Sequence, residues 1–181
     1  MTETLTVRNG IDVDQLLATI DAIKDDPNVA SFTFHASSRW QEGTHNIGEI
    51  GRFVHAGHED QTRDEPLVLL GNNKGPNAVE LLLQAVGFCY AVGHVANAAA
   101  RGIEVTQMEY DIEGDVDVRT FLGLAGPRAG FTAIRVTGRV ASPNATDEQL
   151  QELCTYVQDT SPVLDSLANP IPVTTTLQIA H

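Results

Sequence analysis

Apolar positions recur with a helical period over residues 11–26. Leu16, Leu17, Ile20 and Ile23 form one stripe, Asp12 or Asp14 stands where an N-terminal cap is needed, and Pro27 stops the pattern. The period then changes to two. Phe32, Phe34 and Ala36 alternate with Thr33, His35, Ser37 and Arg39, which predicts a strand. Glu42-Gly43 predicts a hairpin turn, and residues 47–55 the returning strand. Residues 57–66 are polar and end in Pro66, so a loop is expected before the short apolar run 67–70. GNNKGPN, residues 71–77, predicts another loop.

The next element has clear ends. Asn77 and Glu80 have the spacing of a reciprocal N-terminal cap, and Gly102-Ile103 suits a left-handed C-terminal cap, so a helix is predicted over 78–101. A strand follows over 103–113, with an alternation that shifts phase near Gln107 and Met108 and so suggests a bulge. The loop GLAGPRAG, 123–130, leads into a strand whose Ile134, Val136 and Val140 face inward against Arg135, Thr137 and Arg139. Thr146 with Gln149 forms a capping box that opens a helix through Val157. Ser161-Pro162 starts a second helical piece, Asn169-Pro170 ends it, and Ile171, Val173, Thr175, Leu177 and Ile179 alternate as a final strand. Strands and helices do not alternate one for one, which predicts an α+β fold with antiparallel pairing. The expected organisation is one domain over 1–181, with a helical extension over 1–29 and a core over 30–181.

Charge and composition narrow the function classes. Eleven basic against 24 acidic residues give a net charge of -13, which argues against nucleic acid or an anionic membrane as partner. With 42% hydrophobic and 19% charged residues among 181, the chain has a globular composition and length enough for a full core. The apolar stretch 78–100 is long enough to span a bilayer, but it carries Glu80, Gln84, His94 and Asn97 and is rich in Ala and Gly. A buried core helix is the expectation. The N-terminus lacks a basic-then-apolar leader pattern and the chain has two cysteines, which together predict a reducing, cytoplasmic setting.

The unusual element is that central helix. Ala85, Cys89, Gly93, Ala96 and Asn97 line a face of small residues that lets another backbone approach closely, while the helix is apolar most of the way round. A second subunit is a natural cover. Cys89 is either an inert core residue or a reactive thiol; it sits mid-helix, so its own helix N-terminus does not activate it. Cys154 shares a helix face with Leu150, Leu153 and Val157 and reads as core packing. His55, His58, Glu59 and Asp60 offer metal-binding atoms without zinc-site spacing, so no metal is expected. The glycine loops lack the G-K-[ST] ending of a phosphate loop, no G-x-S-x-G elbow exists, and no cofactor is implied. Arg39, next to Trp40, is either a solvated edge charge or an anion clamp.

The run G-P-N-A-V-E-L-L-L-Q-A-V-G-F-C at 75–89, with T-S-P-V-L at 160–164 and the closing N-P-I-P-V, resembles the OsmC/Ohr family of osmotically inducible and organic-hydroperoxide-resistance proteins. The likeness extends over roughly residues 30–180. It implies an OsmC-like fold, with antiparallel sheets wrapped around central helices in an intertwined homodimer. Active members are thiol peroxidases in which a helix cysteine attacks a hydroperoxide, a second cysteine resolves the sulfenic acid, and an arginine with a glutamate activates the first. Carried over, Cys89 matches the attacking cysteine and Arg39 is the arginine nearest the family's position. Ser161 stands where the resolving cysteine would be, and a hydroxyl cannot form that disulfide. Val79 stands at the activating glutamate's position; Glu80, one place on, reads as a cap and packing feature. Cys154 precedes Ser161 by seven residues, roughly 10 Å along a helix axis, so its use as resolver would require movement.

Three functions follow as expectations. The first is a one-cysteine peroxidase in which Cys89 attacks an organic hydroperoxide, Arg39 stabilises the thiolate, and an external thiol regenerates it. The second is a non-catalytic dimer binding a small apolar ligand beside Cys89, with Ser161 as cap or hydrogen-bonding group. The third, least supported, uses His55, His58, Glu59 and Asp60 for other chemistry.

Overall fold

The computed structural model describes residues 6–180 apart from Phe32, Phe34, His35, Gly43, Thr44, 51–60 and Leu70. His55, His58, Glu59 and Asp60 therefore lie outside the described residues, as does part of the first predicted hairpin.

A short hairpin opens the chain, with strands β1 (Val7–Arg8) and β2 (Ile11–Asp12). Asn9 and Gly10 both have positive φ, 52° and 76°, as a tight two-residue turn between twisted strands demands. The sequence reading missed this hairpin, although Asn-Gly is its strongest short signal. Asp12 then caps helix α1 (Val13–Asp25) by accepting from the Gln15 amide. The side chain of Asn9 fastens the hairpin elsewhere, donating to the Ile103 carbonyl at 2.9 Å and accepting from the Val105 amide at 2.9 Å.

Strands β3 (Ala36–Glu42), β4 (His45–Ile50) and β5 (Gln61–Arg63) form a three-stranded antiparallel sheet in chain order. β5 falls within the predicted polar loop, and the bulge in this sheet lies between Trp40 and Glu42. The apolar run after Pro66 makes a single 3-10 turn, Leu67–Leu69.

Helix α2 (Ala78–Ala100) forms with the predicted caps. Asn77 accepts from the Glu80 amide at 2.9 Å, and the Glu80 carboxylate accepts from the Asn77 amide at 2.8 Å. At the far end Gly102 has φ +77°, Ile103 N–H reaches the Ala98 carbonyl at 2.8 Å, and Ile103 is buried against the core. That is the left-handed cap in which only glycine avoids a Cβ penalty. By length and hydropathy α2 would cross a membrane. Here it is the hub of the fold, contacting α1, β6, α3 and α4.

β6 (Gln107–Asp115) and β7 (Ala133–Ala141) pair in unbroken antiparallel register. The phase shift expected near Gln107 and Met108 is therefore the start of the strand, not a bulge. Ile134, Val136 and Val140 are more buried than their neighbours Arg135, Thr137 and Arg139, as the alternation predicts. Helices α3 (Asp147–Thr160) and α4 (Pro162–Ala168) close the described core, the first opened by the Thr146–Gln149 capping box.

Val86, Tyr90, His94 and Ala98 recur every four residues along α2, and all four are buried. Three of them join Ile103, Leu153 and Val157 in the core. The small-residue face accommodates α3: a Cβ on Gly93 would stand 2.9 Å from Val157 Cγ1. The predicted last strand is not formed. Residues 170–180 lie outside every sheet among the described residues, with Val173 and Leu177 more than 80% exposed. Alternation makes a segment able to be a strand, but a strand also needs a neighbour's N–H and C=O groups.

Candidate functional site at Cys89 and Ser161

Cys89 lies on α2, one position before Tyr90 of the buried stripe, and is half-buried. Ser161 joins α3 to α4. Its backbone is extended because the chain must stop one helix and start the next, and Pro162 fits the first position of α4. The Ser161 hydroxyl accepts from the Leu164 amide at 3.2 Å as the α4 cap. The same oxygen lies 3.1 Å from Cys89 Sγ, and Ser161 is only 4% exposed. Since the Leu164 contact uses a lone pair, the hydroxyl proton is free to point at the sulfur.

This contact joins residues 72 positions apart in the chain. Both cysteines are free, Cys89 half-buried and Cys154 exposed. Cys154 does not share the Ser161 contact. It lines a different cavity, described below.

Glu80 stays at the helix start, exposed, with its carboxylate engaged in the cap. The backbone of Arg39 pairs with Ile47 in the β3–β4 hairpin. Its side chain lies outside the described residues. No cluster of three or more potential metal ligands occurs among the described residues.

A second polar group sits five residues beyond the thiol on the same helix. His94 Nδ1 lies 3.0 Å from the Tyr90 carbonyl and 2.7 Å from the Tyr110 hydroxyl, and His94 is 3% exposed. Burial holds the imidazole pKa below its ordinary value of 6.5, against a smaller opposing effect of the backbone contact. Burial likewise pushes the Tyr90 and Tyr110 hydroxyls up. The sequence reading listed His94 only as a polar residue on the central helix. Its place every fourth residue after Val86 and Tyr90 was the available signal.

A helix bearing a half-buried thiol, met by a serine at the junction of two later helices and flanked by antiparallel sheets, defines a class of α+β thiol proteins. Residues 71–176 match the family model for OsmC-like proteins, and that span is more than half of the chain. The chain belongs to the OsmC-like family. An OsmC-like protein from Mycoplasma pneumoniae superposes with TM-score 0.62 at 17% identity, covering 76% of this chain and 89% of that one. An OsmC-like protein of Vibrio cholerae gives TM-score 0.59 at 12% identity, covering 75% and 94%. A Legionella pneumophila structure described as an organic hydroperoxide resistance protein gives 0.56 at 14%, covering 75% and 89%. At these identities the likeness is one of fold. No curated protein matches the chain in sequence.

Proposed function

We propose that this protein reduces organic hydroperoxides through Cys89 in a one-cysteine cycle, working as a homodimer. The observation that carries the reading is the 3.1 Å contact between Cys89 Sγ and the buried Ser161 hydroxyl. A buried hydroxyl beside the thiol, unable to form a disulfide, supports a cycle in which no second cysteine of the chain resolves the sulfenic acid. The name of the Legionella relative supports the substrate class.

In the cycle the Cys89 thiolate attacks the distal oxygen of ROOH, the O–O bond breaks, and RO⁻ leaves and takes a proton to become ROH. The sulfur becomes a sulfenic acid, positioned by the Ser161 hydroxyl. Two equivalents of an external thiol then return Cys89 to the thiol, releasing a disulfide and water. Arg39 is assigned to stabilise the thiolate. No metal and no cofactor enters the cycle.

The test is consumption of cumene hydroperoxide with excess dithiol by wild type, Cys89→Ser and Cys154→Ser. Loss of turnover in Cys89→Ser alone is the expected result. Loss in both variants would make Cys154 the resolver. No turnover in wild type, with Cys89 inert to a thiol reagent in the folded protein, would overturn the peroxidase reading.

The non-catalytic alternative has one observation in its favour. An apolar groove of about 380 Å³ runs between the start of α2, the start of β7 and α4, lined by Val79, Leu82, Phe131, Leu164 and Leu167. Leu164 is the residue whose amide binds Ser161.

A further inference from the structure

A second cavity, of about 430 Å³, opens between α2, α3, α4 and the β6–β7 sheet, and neither Cys89 nor Ser161 lines it. Its walls are apolar: Val86, Ile134, Val136, Leu150 and Leu167. Polar groups share the lining: Tyr90 and His94 on α2, Tyr110 on β6, and Asp147, Gln151, Cys154 and Gln158 on α3. Asp147 is the charged residue of the lining, and no Lys or Arg belongs to it.

We propose that this cavity binds an uncharged small molecule with an apolar, ring-sized body and one hydroxyl or amide group. The volume is within the range of roughly 300–1,000 Å³ common to ligand sites. Water molecules against Val86, Ile134, Val136, Leu150 and Leu167 find no hydrogen-bond partner in those side chains. An apolar body that displaces them gains what they lack. The lining also selects by charge. An anion would meet Asp147 and no cation, within a chain of net charge -13.

The Tyr110–His94 pair supplies one adaptable hydrogen bond. His94 Nδ1 faces both the Tyr90 carbonyl and the Tyr110 hydroxyl. If Nδ1 carries the proton it donates to the carbonyl, and the Tyr110 O–H turns to the ligand as a donor. If Nδ1 is bare, Tyr110 donates to it and its oxygen is left to accept. A neutral hydroxyl or amide fits either state. Cys154 in the wall gives the site a built-in reporter.

The experiment uses full-length Cys89→Ser, in which Cys154 is the remaining thiol. The probes are 1-naphthol and 1-naphthalenesulfonate, the same ring with and without charge. Calorimetry is expected to show binding of 1-naphthol and not of the sulfonate. Alkylation of Cys154 by iodoacetamide should slow roughly tenfold when 1-naphthol is present at about ten times its Kd. Leu150→Trp, which fills the cavity, should abolish binding while the circular dichroism stays native. Tyr110→Phe should weaken it roughly five- to tenfold, through loss of a single hydrogen bond; this second variant keeps the test alive if the tryptophan disturbs folding.

No heat and no protection would overturn the proposal. So would equal binding of the sulfonate, or binding unchanged in both variants. Cys154 already shielded before ligand is added would mean that a segment of a second copy occupies the cavity, which also overturns it.

Discussion

Protonating His94 would put a cation on a ring that is 3% exposed and already faces a carbonyl and a phenol. Burial lowers its pKa in the folded chain relative to 6.5. Between those two values the unfolded chain binds more protons, so folding stability falls as pH drops from about 6.5 through the folded value. The urea midpoint should therefore decline between pH 7.5 and 5.5 more steeply in wild type than in His94→Gln. Equal slopes would remove His94 from the account. Ser161 gives a second expectation. Ser161→Cys places a thiol beside Cys89, and treatment with one equivalent of hydroperoxide should then consume both thiols as a disulfide. Titration of free thiols reads this directly, and persistence of both would contradict the 3.1 Å placement. At these positions the sequence named the players but not the contacts. Cys89 and Ser161 were legible through their motifs; the Tyr90–His94–Tyr110 cluster needed a strand brought against a helix.

Helix ends were the most legible elements, because capping is local chemistry between residues three or four apart. Asn77, Glu80, Thr146, Gln149 and Gly102 all act at the predicted places. Asn77→Ala should cost about 1 kcal/mol of stability, measured by denaturant unfolding, with no effect on Cys89 reactivity. Gly93→Ala tests packing instead. The new methyl would meet Val157 Cγ1 at 2.9 Å, and overpacking of that kind costs about 1–3 kcal/mol. A cost near zero would show that α2 and α3 separate easily. Strand limits were less legible. β5 hides in a polar stretch, and the irregularity placed near Met108 is the edge of β6, because pairing with β7 and not alternation sets where a strand begins.

As a single chain the molecule leaves many large apolar side chains exposed, among them two groups on α2 and on the C-terminal segment. Phe88 and Val92, one turn apart on α2, are 64% and 70% exposed, and the alternating residues of the C-terminal segment lie open. Surfaces of this kind mark an interaction site. A second copy of the chain is the proposed cover, as the sequence reading expected of so apolar a helix. Sedimentation should give twice the chain mass, and Phe88→Asp should shift it toward one. A wild-type monomer at micromolar concentration would exclude the dimer. By itself the sequence determined the family, the α+β class, and the helices with their caps. Those depend on near neighbours in the chain, whose spacing decides whether they can meet. Only the tertiary structure decided that Ser161 reaches Cys89 across 72 positions, that Cys154 faces another cavity, and that 170–180 joins no sheet among the described residues. Contacts between distant residues follow from how elements pack, and several packings satisfy the same local pattern.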